Sequence, residues 1–179
     1  MAGPRPAGLT GRPAPEEHLP YFARYIEQVD GDRLLDALRP RPLAEFLRGA
    51  DPALAASAYA PGKWTLAAVG QHVIDTERIF STRALRIARG DTTPLPGFEQ
   101  DGFAASAPDR PLAALADELD AVRAATLALF ASVPDDALLR IGTASGGPLS
   151  TRAAGWIIAG HERHHARIVR ERYLTAPES

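Results

Sequence analysis

His161 and His165 stand four residues apart in the stretch Gly160-His161-Glu162-Arg163-His164-His165-Ala166-Arg167-Ile168. On an α-helix that spacing places both side chains on one face, one turn apart, with Cβ atoms roughly 5–6 Å from each other. Neutral imidazoles held in this way are half of a common transition-metal site. A pair leaves most of the coordination sphere undefined, so a third ligand must come from another element. His72, in Gln71-His72-Val73-Ile74-Asp75-Thr76-Glu77-Arg78, is the strong candidate. Three imidazoles with solvent or substrate in the remaining positions describe a catalytic site rather than a closed structural one. Zinc suits such a set, with nickel, cobalt, iron and manganese as alternatives, because imidazole is a borderline ligand. The ion would lower the pKa of a bound water or thiol and create a nucleophile near neutral pH. The competing reading is a bundle whose histidines are simply packed.

Residues around the three histidines have two readings each. Asp75 and Glu77 could orient His72 or accept a proton; ion pairs with Arg78 or Arg83 are the plainer use of Glu77. His164 points about 60° away from His161 on a helical wheel, where it either supports the ligands from outside or faces solvent. His18 lies in or beside the N-terminal tail and is incidental. Tyr59, Trp64 and Trp156 could line a pocket, with core packing the simpler use of the tryptophans.

These residues need a scaffold, and the composition bounds it. A chain of 179 residues with 45% apolar and 23% charged residues is one soluble domain with a sizeable core. A net charge of −2 argues against general affinity for nucleic acid. The absence of cysteine excludes disulfides, a cysteine nucleophile, a Cys-ligated zinc and an iron–sulfur cluster, so any metal is held by nitrogen and oxygen. Residues 1–18, rich in Pro, Gly and Ala, read as a disordered tail without the apolar core of a signal peptide. No run has the length of a membrane span, and the expected location is the cytoplasm.

The domain is expected over residues 19–175. Tyr21-Phe22-Ala23-Arg24-Tyr25-Ile26 reads as a short helical turn or an extended strap. Asp32 to Gly49 reads as a first helix broken into two pieces by Pro40 and Pro42. Thr65 caps a second helix running to Arg89, with Gly90 beyond it. His72 lies at the edge of that helix's apolar stripe. Residues 91–109 lack helical periodicity and read as a long loop, either a lid or a strap pinned by Leu95, Phe98 and Phe103. The third helix runs from Pro111 to Ser132 with Arg123 on its wet side. Residues 140–149 read as a turn or short hairpin. Ser150 caps the fourth helix, which runs to about Leu174 with His161 and His165 in its apolar stripe and Arg163, Arg167, Arg170 and Glu171 on its back. Four such segments and no convincing strand make an all-α chain, an antiparallel four-helix bundle with long inter-helix loops, in which metals are commonly placed between facing helices.

The chain resembles the DinB-like superfamily, which includes YfiT-type metal-dependent hydrolases and bacillithiol S-transferases. The likeness rests on Tyr59-Ala60-Pro61-Gly62-Lys63-Trp64-Thr65, Gln71 to Arg78, Arg83 to Asp91, Pro94 to Asp101 and Gly160 to His165. It implies a four-helix bundle, a metal on His72, His161 and His165, and a homodimer. It also implies a thiol transferase or hydrolase type of reaction on a small-molecule substrate, with a low-molecular-weight thiol as one candidate nucleophile. Pro40 and Pro42 depart from the continuous first helix of such proteins. Two functions follow: a metal-dependent enzyme that activates a thiol or water for attack on a small electrophile, and a non-catalytic metal-binding protein of stress response or interaction.

Overall fold

The computed structural model describes residues 11–173. Its elements in chain order are α1 (Ala23–Ile26), α2 (Leu34–Leu38), α3 (Pro42–Gly49), α4 (Leu66–Ala88), α5 (Gln100–Ala105), α6 (Leu112–Ser132), α7 (Asp135–Leu138), a hairpin of β1 (Ile141–Ala144) and β2 (Gly147–Ser150), and α8 (Thr151–Arg172). The bundle is built by α4, α6, α8 and the broken pair α2–α3, an all-α fold apart from the hairpin. Its long helices start where the sequence offers a cap. Thr65 Oγ1 accepts from the Ala68 N–H at 3.1 Å and Ser150 Oγ accepts from the Ala153 N–H at 3.0 Å, satisfying donors that the first turn leaves free. In the hairpin Ile141 faces Ser150 and Ala144 faces Gly147. Ser145 and Gly146 connect them with φ of 53° and 82°, the left-handed pair that matches strand twist.

The core is in two parts, and the boundary crosses each long helix at the same level. One part takes Leu34 and Leu38 of α2, Phe80 to Ala88 of α4, Phe130 of α6 and Ala153 to Ala159 of α8. The other takes Leu43 and Leu47 of α3, Leu66 to Ile74 of α4, Leu112 to Val122 of α6 and Ala166 to Tyr173 of α8. Between them lies a polar layer containing Thr76, Glu77, Arg123, Thr126, His161 and Glu162, all buried. The break at Pro40 and Pro42 belongs to this layer. It frees the carbonyls of Leu38 and Pro40, which accept from Arg123 Nη1 at 2.9 and 3.2 Å, and the Leu43 N–H, which donates to Glu162 Oε1 at 3.1 Å. Arg123 is therefore only 1% exposed, not on the wet side of its helix: its spacing of four from Leu119 carries it onto the apolar face.

Two segments differ from the expectation. Residues 91–109 contain α5, which starts where the Glu99 side chain accepts from the Asp101 N–H; a single-turn cap was hidden among prolines and glycines. Leu95 ties the same segment to β1, donating to Thr143 O at 2.9 Å and accepting from the Ser145 N–H at 3.0 Å. The tail expected over residues 1–18 is packed from Gly11 onward, and its first ten residues lie outside the described ones. Glu17 is buried, accepts from Ser150 Oγ at 2.7 Å and from Arg152 Nε at 2.8 Å, and makes a second bond to Arg152 Nη2. Burial alone would raise its pKa, but Arg152, the Ala14 N–H and Ser150 bring it down to about 2. Composition shows the prolines; it does not show that this carboxylate finds the N-terminus of α8. The end of the chain past Tyr173 lies outside the described residues. Among the described residues no helix is long and apolar enough to cross a membrane.

Candidate metal centre

His72 enters the polar layer from α4, and His161 and His165 enter it from α8. The Nε2 atoms of His72 and His161 are 3.0 Å apart, and those of His165 and His161 are 3.2 Å apart. The ligand atoms of all three lie within 4.8 Å of one another. His72 and His161 are 4% and 5% exposed, and His165 is half-buried. Burial lowers the pKa of each: His72 to about 4, His165 to about 3, and His161 well below the ordinary value, with the neighbouring histidines adding to the effect on His161 and His165. All three are neutral at pH 7.

Three neutral imidazoles cannot satisfy one another in this arrangement. Each has one N–H and one lone pair. His161 Nε2 faces two other Nε2 atoms, yet carries either one proton or one lone pair, so at least one contact is left without a good hydrogen bond. No carboxylate among the described residues bonds to any of the rings. A cation between the rings resolves the conflict, because three lone pairs can then point at one centre. Nitrogens 3.0–3.2 Å apart have the spacing of donors around an ion with bonds of about 2.0–2.1 Å. The residues present thus suit a divalent metal.

Local packing fixes the rings. The Trp64 ring lies 4.7 Å from the ring of His72. Tyr25, carried by α1, meets His161 edge-on at 5.2 Å and His164 at 5.3 Å. α1 can approach so closely because Gly160 precedes His161: a Cβ there would lie 1.9 Å from Tyr25 O. Burial, with the neighbouring Tyr21 hydroxyl, raises the Tyr25 pKa to about 12, so its hydroxyl keeps its proton. Tyr25 was not singled out in the sequence; the aromatic cluster at 21–25 and the glycine before His161 were the available signals.

The other site candidates are placed elsewhere. Asp75 accepts from Gln71 Nε2 at 2.9 Å, and Glu77 takes two bonds of 2.8 Å from Arg123. Neither bonds to His72, and Glu77 pairs with neither Arg78 nor Arg83. His164 stacks edge-on against His165 at 5.1 Å, and its Nδ1 lies 3.4 Å from Gln28 Nε2. Its pKa is lowered by burial and by Arg167 and Arg24. His18 bridges to Leu149, away from the centre. Trp156 is fully buried in the core, whereas Tyr59 is 40% exposed.

Two cavities reach the cluster. One of about 370 Å³ is bounded by His72, His161, Tyr25, Thr76 and Arg83. Another of about 330 Å³ is bounded by His165, Trp64, Tyr59 and Tyr173.

The structure is similar to YfiT from Bacillus subtilis, described as a probable metal-dependent hydrolase with an unusual four-helix bundle topology. The TM-score is 0.68, with 14% sequence identity over 90% of this chain and 91% of that one. That likeness shows the fold. No curated protein matches the chain. The model of the DinB superfamily matches residues 34–169, a span that contains the three histidines and most of the bundle. The chain belongs to the DinB superfamily.

Proposed function

We propose that this protein is a metal-dependent enzyme in which His72, His161 and His165 hold one divalent ion, zinc or nickel, and a water or thiol is activated for attack on a small electrophile. The observation that carries the reading is the convergence of three neutral Nε2 atoms that have no sufficient partner other than a cation. A divalent ion held there would supply Lewis acidity and lower the pKa of a coordinated water or thiol. The chain's own residues do the rest. Burial keeps the imidazoles neutral and so available as donors at pH 7. Trp64 and Tyr25 fix the planes of His72 and His161. The Tyr25 hydroxyl keeps its proton and receives a bond from Arg24 Nη2 at 3.0 Å. The cavity beside His72 and His161 has Phe22, Phe80, Phe98 and Ile157 in its wall, apolar side chains that limit water around a bound electrophile.

Elemental analysis of protein purified without a His-tag tests the metal. About one equivalent of zinc or nickel is expected in the wild type and none in His161→Ala. At an ion concentration of about 100 times Kd, the wild type should gain about 2.7 kcal/mol in stability. Absence of uptake and of stabilisation rejects the metal centre. Thiol conjugation to a generic electrophile and hydrolysis of an activated ester then test turnover; equal rates in wild type and His161→Ala would leave a metal-binding protein without this chemistry.

A further inference from the structure

An unpaired cation stands on the far wall of the cavity that reaches the candidate metal centre. His72, Thr76, Phe80 and Arg83 follow one another along α4 at intervals of four, four and three, forming one stripe, and all four bound this cavity. Arg83 is 4% exposed. Its Nη2 donates to Pro96 O at 2.6 Å and to Ser145 Oγ at 3.1 Å, and its guanidinium lies over the rings of Phe80 and Phe98 at 4.9 and 5.9 Å. All these partners are neutral. Nε and Nη1 donate to no described residue, and no described carboxylate lies within ion-pair distance. Arg78 and Arg86 on the same helix are paired with Glu118 and Asp91. Burial pulls the Arg83 pKa below its ordinary value, with no carboxylate to counter it. A buried guanidinium without an anion is costly. Thr76 Oγ1, between Arg83 and His72 on the stripe, is buried without a partner.

We infer that Arg83 binds the carboxylate of an elongated substrate whose apolar body lies along Phe80, Phe98 and Ile157 and whose other end is presented to His72 and His161. The Cα atoms of His72 and Arg83 are separated by about 16 Å along the helix axis. The arginine side chain leans toward the N-terminus and shortens that span, leaving room for a ligand on the order of 10 Å long. A monoanion suits the site better than a phosphate monoester. Among the described residues Arg83 is the only arginine or lysine on the wall, and the one carboxylate there, Glu99, is exposed. The inference rests on the proposed function for which end of the ligand reacts, not for the anion site itself.

The test is calorimetric titration of the full chain with phenylbutyrate, its neutral amide phenylbutyramide, and phenyl phosphate, each with and without zinc. Wild type should bind the acid about tenfold or more tightly than the amide, the value of a charge-assisted hydrogen bond, and this preference should vanish in R83Q with native far-ultraviolet circular dichroism. R83K, which keeps the charge, guards against a folding defect and should retain a preference for the acid. In His161→Ala, which should take up no zinc, the preference should survive; a wild type that takes up no zinc yet keeps the preference sinks the metal reading alone. Equal binding of acid and amide, no binding of the acid, or an unchanged preference in folded R83Q overturns the anion site. Tighter binding of phenyl phosphate than of phenylbutyrate overturns its assignment to a monoanion.

Discussion

Two buried polar clusters sit side by side in the middle of this bundle, carried by adjacent residues of α8, and they are opposites. His161 faces the imidazoles; Glu162 faces Arg123. In the second cluster the donors and acceptors balance. Arg123 bonds Glu77 through Nε and Nη2 at 2.8 Å, the Leu38 and Pro40 carbonyls through Nη1, and pairs with Glu162 at 2.9 Å, while Glu162 takes up the Leu43 N–H. Attraction to Glu162 and Glu77 outweighs burial and raises the Arg123 pKa; burial raises that of Glu162. Four helical segments are joined through one guanidinium, and nothing is left over for a ligand. In the first cluster three like groups face one another and do not balance. Burial of polar groups is common to both, so burial alone does not mark function; the unfilled valence does.

The sharpest way to break this comparison is to remove each cluster's centre in metal-free protein. Arg123→Met leaves two buried carboxylates and two carbonyls without their donor, and should cost about 3–5 kcal/mol in urea unfolding. Replacing Arg123, Glu77 and Glu162 together with apolar residues should recover much of that loss. His161→Ala should cost clearly less than Arg123→Met, since it removes a group that lacked a full set of partners. Equal costs would mean that the imidazoles are structurally satisfied and the contrast is false.

What could be read from the chain follows from the same division. Thr65 and Ser150 announce their helices by local chemistry, and the spacing of His161 and His165 is a property of one helix. His72 was found because only one other histidine lay at a helix seam. The partner of Glu77 was missed because Arg123 is 46 residues away, whereas sequence spacing reveals only partners one turn apart. Pro40 and Pro42 were visible as a break, but its purpose was not: the break supplies the backbone groups that Arg123 and Glu162 bind. The Arg152 partner of Glu17, likewise distant in sequence, explains why a Pro-rich segment is packed from Gly11.

Acid should next separate the imidazole cluster from a third buried polar group, the Glu17 carboxylate held by Arg152. The histidines have folded pKa values below the unfolded value near 6.5, so above that pH they are neutral in both states and contribute nothing to the pH dependence. As pH falls through 6.5 toward 4 and 3, the unfolded chain takes up protons that the folded chain refuses, and stability falls. Between pH 6.5 and 5.5 the three together should cost about 3 kcal/mol. Glu17 behaves differently: its depressed pKa gives stability that is full above 4.5 and is lost as pH falls from 4.5 to about 2. Urea midpoints measured across both windows check this. His161→Ala should flatten the upper window by about a third and leave the lower one intact; a flat upper window in wild type would show that the imidazoles are not held neutral.

The smallest expected effect probes Gly160, the residue of α8 that precedes His161 and lies against Tyr25 of α1. An alanine at Gly160 would place its Cβ 1.9 Å from Tyr25 O and 2.4 Å from Tyr25 C. These are backbone atoms, so no side-chain rotation relieves the contact and α1 must lift from α8. Overpacking of this kind costs about 1–3 kcal/mol. Because α1 carries Tyr25 onto His161, the lift should also weaken stabilisation by zinc, while the Arg123 cluster on the neighbouring face of α8 keeps its full value. Gly49→Ala is the control: its Cβ meets nothing within 4 Å, and reducing the freedom of the unfolded chain should make it neutral or slightly stabilising. Gly160→Ala with wild-type stability and wild-type zinc response would mean that α1 does not rest on α8 at His161. The imidazole cluster would then lose its aromatic wall, while the ion cluster beside it, whose hydrogen bonds run to α2, the α2–α3 break, α4 and α8, would stand unchanged.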